Sequence, residues 1–179
     1  MSGAGNENSE KWTLSLRVIP NVVPRAQLRT TLTYRLHPKL MTGVEFNPRA
    51  ATAGDRVNPL VNWVAVTETA HRPALILGTS SDRIGTPLGQ SFYATFSKNL
   101  KRATKLPIAP YVGISYGTYE HRWLPLAGLT VSFTRQLSST VLFDGVRLHP
   151  LLNYTHGRHA FSFVLAFANK PGFSYSVSF

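Results

Sequence analysis

The last seven residues of the chain, Phe173-Ser-Tyr-Ser-Val-Ser-Phe179, alternate a large apolar side chain with serine. Because side chains along an extended strand point to opposite faces in turn, Phe173, Tyr175, Val177 and Phe179 share one face and the serines share the other. An edge strand of a soluble sheet usually carries charged residues that keep it solvated and unpaired. Here the polar face is small and uncharged. The pattern is typical of the closing strand of a transmembrane β-barrel, with lipid on one side and a lumen on the other.

The same segment resembles the C-terminal signal of bacterial outer-membrane β-barrel proteins. That signal ends in Phe and has apolar or aromatic residues two, four and six places earlier, as at Phe179, Val177, Tyr175 and Phe173. The resemblance implies that these four residues form an assembly signal, read by the barrel-assembly machinery during insertion. It also implies that the protein is located in the bacterial outer membrane.

Period-two alternation recurs from Trp12 onward and predicts about twelve strands with no convincing helix, with eight or ten strands as alternatives. Strands of roughly ten residues would occupy about two-thirds of the chain, so the connections must be short. No apolar run approaches the roughly 18 residues that a spanning helix needs. We therefore predict an all-β protein: a single antiparallel up-and-down transmembrane β-barrel over residues 12–179, preceded by a flexible polar tail over residues 1–11.

Composition and the N-terminal residues bear on the cellular location. Charged residues make up 15 % of the chain, against roughly 25 % in an average soluble domain. There is no cysteine, so a disulfide framework and a thiol nucleophile are excluded. Residues 1–10 are polar and lack the apolar core of an export signal. Either the signal has been removed and Met1 restored, or the protein is not exported; we favour the first alternative.

The composition of the two strand faces separates a membrane barrel from a soluble one. A soluble ligand-binding barrel turns its large apolar face inward and its charged face to water. In this chain the polar face is mainly Ser, Thr, Gly and Ala, most clearly around Gly113, Gly128 and Ser176. This favours lipid outside and a crowded lumen inside, with a soluble β-sandwich or ligand-binding barrel as the less favoured alternative.

A few polar-face residues are charged or aromatic, and these are the candidate functional residues. A charge within a membrane is costly unless it faces water or a partner, so these side chains are expected to line the lumen. We expect Glu45 to pair with Arg29 or Arg35. A wet lumen with a basic wall favours anions; the alternative is a filled lumen with a buried charge network. The predicted pore-lining residues are Arg17, Gln27, Arg29, Arg35, Glu45, Tyr93 and Tyr111.

Two structural expectations concern tyrosine and proline. Tyr93 lies on the strand next to Gly78, and an inward ring covering a glycine stabilises a curved sheet. Pro110 and Pro150 fall inside predicted strands, although proline removes a ladder hydrogen bond. We expect both prolines near strand ends, with β-bulges beside them; the alternative is that the predicted strand limits are displaced by several residues.

The formal net charge is +11, and most of the basic excess lies in the connections. A nucleic-acid binder would group these charges on one face with exposed aromatics between them. Here they are split between the two rims of the predicted barrel, which favours contact with anionic lipid headgroups or lipopolysaccharide phosphates. The cluster Lys98–Lys105 is an alternative docking site for a periplasmic partner. The arginines predicted on the longer-loop rim are Arg25, Arg49, Arg56, Arg83, Arg122 and Arg147.

Two functions from different classes remain. The first is a small passive pore for ions or small solutes that favours anions. The second is a closed structural or interaction barrel that anchors or forms part of an envelope complex. An enzyme is not expected, because no G-x-S-x-G motif is present and only His149 with Asp144 suggests a hydrolytic pair. No cofactor or metal is expected, since the histidines lack the spacing of a metal site.

Overall fold

The structure, a computed structural model, describes residues 10–179 apart from the side chains of Arg102 and Ala103. Most of the predicted tail over residues 1–11 therefore lies outside the described residues. The helical turns are α1 (Pro24–Gln27), a 3-10 turn (Ala53–Asp55) and α2 (Lys101–Thr104). The strands are β1 (Trp12–Val18), β2 (Leu28–His37), β3 (Leu40–Phe46), β4 (Val57–Val66), β5 (Ala74–Ser81), β6 (Gln90–Ser97), β7 (Ile108–Gly117), β8 (Arg122–Ser132), β9 (Leu137–Phe143), β10 (Leu148–His156), β11 (His159–Ala166) and β12 (Lys170–Ser178).

Each strand pairs antiparallel with its neighbours in the chain, and β1 pairs with β12, so the sheet closes on itself. At this seam Leu14 lies opposite Val177 and Ser15 lies opposite Ser176. The prediction of an all-β, single antiparallel up-and-down barrel is confirmed, with twelve strands rather than eight or ten. No helix within residues 10–179 is long and apolar enough to span a bilayer.

The two faces of the barrel wall differ in the way that the alternation predicts. On β1, Trp12 and Leu16 point outward and are more than 40 % exposed, whereas Arg17 points inward. The facing of β4 is ambiguous in the sequence because both faces contain apolar residues. Its register places Trp63 opposite Leu40 and Leu77, on the outward face. The barrel therefore has an apolar exterior and a mostly polar interior.

Inward tyrosine rings lie directly over glycines of neighbouring strands. Tyr93 is opposite Gly78, and its ring occupies the space that a Cβ at Gly78 would need, as predicted. Tyr111 stands in the same relation to Gly128, which was not predicted. Because glycine has no side chain, the sheet can curve tightly at both positions while the ring fills the concave side.

The strand prolines lie near strand ends, as predicted, since Pro110 and Pro150 are each the third residue of a strand. The predicted bulges beside them are wrong, because the register shifts occur at 35/37 and at 64/66. A bulge is unnecessary, since the β6–β7 ladder begins only at Tyr111 and the β10–β11 ladder only at Leu151. The missing N–H group therefore interrupts neither of these ladders.

The barrel has two rims, which differ in their connections. The terminal rim carries the strand ends near Glu10 and Phe179 and the connections 38–39, 67–73, 98–107, 133–136 and 157–158. The loop rim carries the connections 19–27, 47–56, 82–89, 118–121, 144–147 and 167–169. The longer connections of the loop rim come from the first half of the chain, whereas its last three connections are short.

We expect Gly78→Ala to lower the free energy of unfolding by about 1–3 kcal/mol, the usual cost of overpacking. The added methyl group collides with the Tyr93 ring and with the backbone carbonyl of Val61. The measurement is the urea midpoint of the barrel folded in detergent micelles. Gly54→Ala is the control, because nothing lies within 4 Å of the position of its methyl group. An equal loss of stability in both variants would contradict the role of Gly78.

Candidate functional site in the lumen

The barrel interior contains a cavity of about 640 Å³. Its walls come from inward-facing residues of the strands, and Asp82, Arg83, Ile84 and Asp144 extend into it from the loop rim. Serine and threonine hydroxyls make up much of the wall. Four of the residues predicted to line the lumen line this cavity: Arg17, Arg29, Tyr93 and Tyr111.

Glu45 lies behind the cavity wall and is completely buried. It forms an ion pair with Arg29, which confirms one of the two predicted pairings. Its other carboxylate oxygen accepts a hydrogen bond of 2.8 Å from the backbone N–H of Ser81. Because a buried carboxylate needs both a cation and hydrogen-bond donors, these two contacts explain how Glu45 is tolerated inside the barrel.

Arg17 and Arg29 lie directly opposite each other on β1 and β2. Both side chains face the cavity. The Nε of Arg17 is buried and has no hydrogen-bond partner among the described residues. The wall at this point thus carries two cations and one carboxylate, and the carboxylate is already engaged by Arg29. The two arginines therefore outnumber the neighbouring carboxylate at this point.

Gln27 and Arg35 were also predicted to line the pore, but neither lines the cavity. Gln27 ends α1 on the loop rim and is not on the polar face of β2, so its predicted position on a strand is wrong. Its amide donates to the carbonyl of Val22 and accepts from Arg49. The helical turn that begins at Pro24 shortens the extended segment and leaves Gln27 among the loops. Arg35 lies towards the terminal rim, beside the bulge of β2, and does not line the cavity.

Arg25 is the main residue that the sequence analysis missed. It was predicted to be a solvated rim residue, but it is only 2 % exposed. Its guanidinium donates to the carbonyls of Asp82 at 2.9 Å, Arg83 at 2.7 Å and Thr86 at 3.0 Å. Burial lowers its pKa, and the nearby positive charge of Arg29 acts in the same direction. Arg25 therefore joins connection 19–27 to connection 82–89 across the loop rim.

An apolar cluster lies beneath this connection. Ile19 is completely buried and packs with Val164 and Ala166 on the inner face of β11. The partly buried side chains of Val22, Ile84 and Leu151 pack around this cluster. Since Val22 and Ile84 come from the two connections that Arg25 joins, the cation and the apolar cluster together form a lid. This lid covers part of the lumen at the loop rim.

A second ionic contact ties neighbouring loops together at the same rim. Glu120 accepts hydrogen bonds from Arg83 at 2.5 Å and from Arg122 at 3.0 Å. The hydrogen bond from Arg83 is the main cause of the lowered pKa of Glu120, with Arg122 adding to it and burial opposing it. Connection 82–89 is therefore held from two sides, by Arg25 and by Glu120.

His149 and Asp144 do come together, at 3.0 Å between Nε2 and Oδ2. The backbone N–H of Phe167 donates to the Nδ1 of His149, so the ring proton lies on Nε2 and is donated to Asp144. Burial acts to raise the pKa of Asp144, but the hydrogen bonds from His149 and from two backbone N–H groups outweigh it and lower that pKa. Neither ring nitrogen is left to accept a proton from a serine hydroxyl. In this arrangement the pair braces the rim.

The Lys98–Lys105 cluster lies at the terminal rim, with the Arg102 side chain outside the described residues. Lys98 donates to the carbonyls of Thr69 and Ala70 and so braces two adjacent turns. Among the described residues, no group of three His, Asp or Glu side chains is placed to hold a metal ion. No protein-family model matches the chain, and no curated protein matches it.

We expect Glu45→Gln to lower the free energy of unfolding by about 3 kcal/mol, because it leaves the Arg29 charge without its buried partner. The measurement is again the urea midpoint in detergent. Glu120→Gln is a matched control, since that carboxylate also pairs with arginines but is partly exposed to solvent. The control is expected to lose less than about 1 kcal/mol. Equal losses would show that burial of the Glu45 pair has no special effect.

Proposed function

We propose that this protein is a bacterial outer-membrane β-barrel whose lumen is a small, passive, anion-favouring pore. The observation that carries the proposal is the contrast between the two faces of the closed wall. Large apolar side chains cover the outside, including Val112 at 59 %, Trp123 at 65 % and Phe163 at 51 % exposure. The inside carries hydroxyls and arginines. A soluble ligand-binding barrel has the opposite arrangement, so that alternative is disfavoured.

Strand length and aromatic positions support insertion into a bilayer. The longest strands, such as β7 with 10 residues and β8 with 11, match the roughly 9–11 residues that cross a hydrocarbon core when tilted. Trp12 and Tyr34 pack at 4.6 Å near the terminal rim, and Tyr116 and Trp123 pack at 5.3 Å near the loop rim. Paired aromatics near both rims suit the two lipid–water interfaces.

The position of the C-terminal strand supports the proposed assembly signal. Phe173, Tyr175 and Val177 share the outward face of β12, as their pairing with Phe163, Phe161 and Leu14 shows. Glu10, where the described residues begin, and Phe179 lie at the terminal rim, which we place on the periplasmic side. The loop rim would then face outside, where the half-exposed Arg122 is available to lipopolysaccharide phosphates.

Anion preference follows from the Arg17 and Arg29 charges on the cavity wall. Solutes that enter a narrow lumen experience these charges at short range, where little water screens them. Glu45, the carboxylate beside these arginines, is completely buried and forms an ion pair with only one of them, Arg29. Removing either arginine is therefore expected to reduce the preference for anions.

The second candidate, a closed structural or interaction barrel, is favoured by one specific observation. The lid formed by Arg25, Ile19 and their neighbours lies across the loop rim and leaves Arg25, Ile19 and Thr86 essentially inaccessible to solvent. A lid that stays in place would obstruct the part of the loop rim that it covers, which favours an anchored barrel. A lid that moves would make the same protein a gated pore.

Membrane insertion is tested first, by refolding the chain from urea into detergent and examining its migration on a gel with and without heating. We expect heat-modifiable migration, together with precipitation or misfolding when detergent is omitted, because the apolar exterior requires lipid or detergent. A chain that folds and stays dispersed without detergent would contradict membrane insertion, and with it both the pore and the anchored barrel.

Conduction is tested next, by single-channel recording in planar bilayers. We expect a small anion-favouring conductance in the wild type, larger or more frequent openings in Arg25→Ala, and weaker anion preference in Arg29→Ala. Arg147→Ala, a rim arginine that does not line the cavity, is the control for charge loss alone. If the wild type and Arg25→Ala both insert but stay electrically silent, the closed barrel is the correct function.

A further inference from the structure

The β1–β2 pair, next to the seam of the barrel, places like charges in direct opposition. Arg17 on β1 faces Arg29 on β2 in the register, and both point into the lumen. Like charges directly opposite each other on one face of a sheet destabilise it. The effect is larger inside a barrel, where the effective dielectric constant is lower than that of water. Glu45 offsets only part of this repulsion, because it is engaged by Arg29 and by the Ser81 N–H group.

Arg17 is the less satisfied member of the pair. None of the carboxylates in residues 10–179 forms an ion pair with it. Its buried Nε also lacks an acceptor among these residues. A buried guanidinium N–H without an acceptor costs free energy, as does a charge without a partner. The structure thus presents to the cavity a cation that has no carboxylate partner among these residues.

Hydroxyl groups surround this cation in positions set by the register. Ser174 of β12 lies opposite Arg17 across the seam. Two residues closer to the terminal rim than Arg17, Ser15 lies between Ser176 on β12 and Thr31 on β2. All four hydroxyl residues line the same cavity as the arginines. Guanidinium forks and hydroxyls are both donors to oxygen anions, and the fork matches the spacing of two oxygens in a carboxylate or a phosphate.

We propose that Arg17, Arg29, Ser15 and Ser174 form a binding site for the oxyanion group, carboxylate or phosphate, of a small solute. An oxyanion between the two arginines would offset their repulsion and supply the anionic partner that Arg17 lacks. The cavity of about 640 Å³ leaves room for a small organic molecule attached to that group. This site identifies the class of solute that the proposed anion-favouring lumen would take, and it rests on that proposal. Its test does not require the barrel to conduct.

The test uses the full chain, folded in a detergent without phosphate groups, with inorganic phosphate and acetate as probes. Binding is measured by calorimetric titration at constant ionic strength, with chloride as the exchanged anion. We expect saturable binding to one site in the wild type. Arg17→Gln should weaken phosphate binding about tenfold or more, the order expected on losing a charged hydrogen-bond donor. Ser174→Ala should weaken it less, and this variant keeps the test informative if Arg17→Gln fails to fold.

Arg35→Gln is the matched control, because it removes the same charge from the inward face of β2 outside the cavity. It is expected to keep the wild-type affinity. Phosphate should also raise the urea midpoint of the wild type and of Arg35→Gln, but not that of Arg17→Gln.

Two outcomes would overturn the site. One is a folded wild-type barrel that shows no saturable binding of phosphate or acetate. The other is equal weakening in Arg17→Gln and Arg35→Gln, which would indicate attraction by net charge alone. If phosphate binding is saturable and depends on Arg17 but the barrel does not conduct, the binding site is supported and the pore function is contradicted.

Discussion

Closure of the hydrogen-bonded ladder between the first and last strands is the constraint on which the rest of the structure depends. Trp12 and Phe179 exchange two backbone hydrogen bonds of 2.9 Å, and the register continues from Thr13 opposite Ser178 to Val18 opposite Phe173. With this seam made, no strand is left with an unpaired edge, so every wall segment has a defined inside and outside. A slip of one residue at the seam would turn the whole apolar face of β12 into the lumen.

The closed wall creates a crowded interior, and its residues are accommodated in two ways. At two places, glycine on one strand makes space for an inward side chain on the next: Gly78 with Tyr93 and Gly128 with Tyr111. Where charges enter the lumen, they are placed beside one another so that Glu45 can be buried against Arg29. The glycine–tyrosine contacts shape the cavity, and the placement of the charged side chains determines its electrostatic character.

The two candidate functions, pore and closed barrel, differ in the state of the loop rim. Connection 82–89 is held by Arg25 through backbone carbonyls and by Glu120 through Arg83. Backbone carbonyls as acceptors suit Arg25, because one planar guanidinium can donate to several of them at once. Opening of the lid would require the loss of these hydrogen bonds and of the packing of Ile19 on Val164 and Ala166. Under the proposed function, the stability of this local contact would decide whether the barrel conducts or remains closed, while the wall itself is the same in both cases.

The sequence by itself determined the fold class, favoured about twelve strands over eight or ten and predicted the facing of most strands. It could do so because period-two alternation is a local property of each strand and does not depend on which strands pair. It also placed Arg17 and Arg29 on the inner face and anticipated the contact of Tyr93 with Gly78. Only the tertiary structure decided that Gln27 lies among the loops and that Arg25 is buried. Arg25 contacts Thr86, which is 61 positions away in the chain, and no periodic pattern encodes a contact between two irregular connections. The opposition of Arg17 to Arg29 likewise depends on the register that the connection 19–27 sets, and that register is a property of the folded turn.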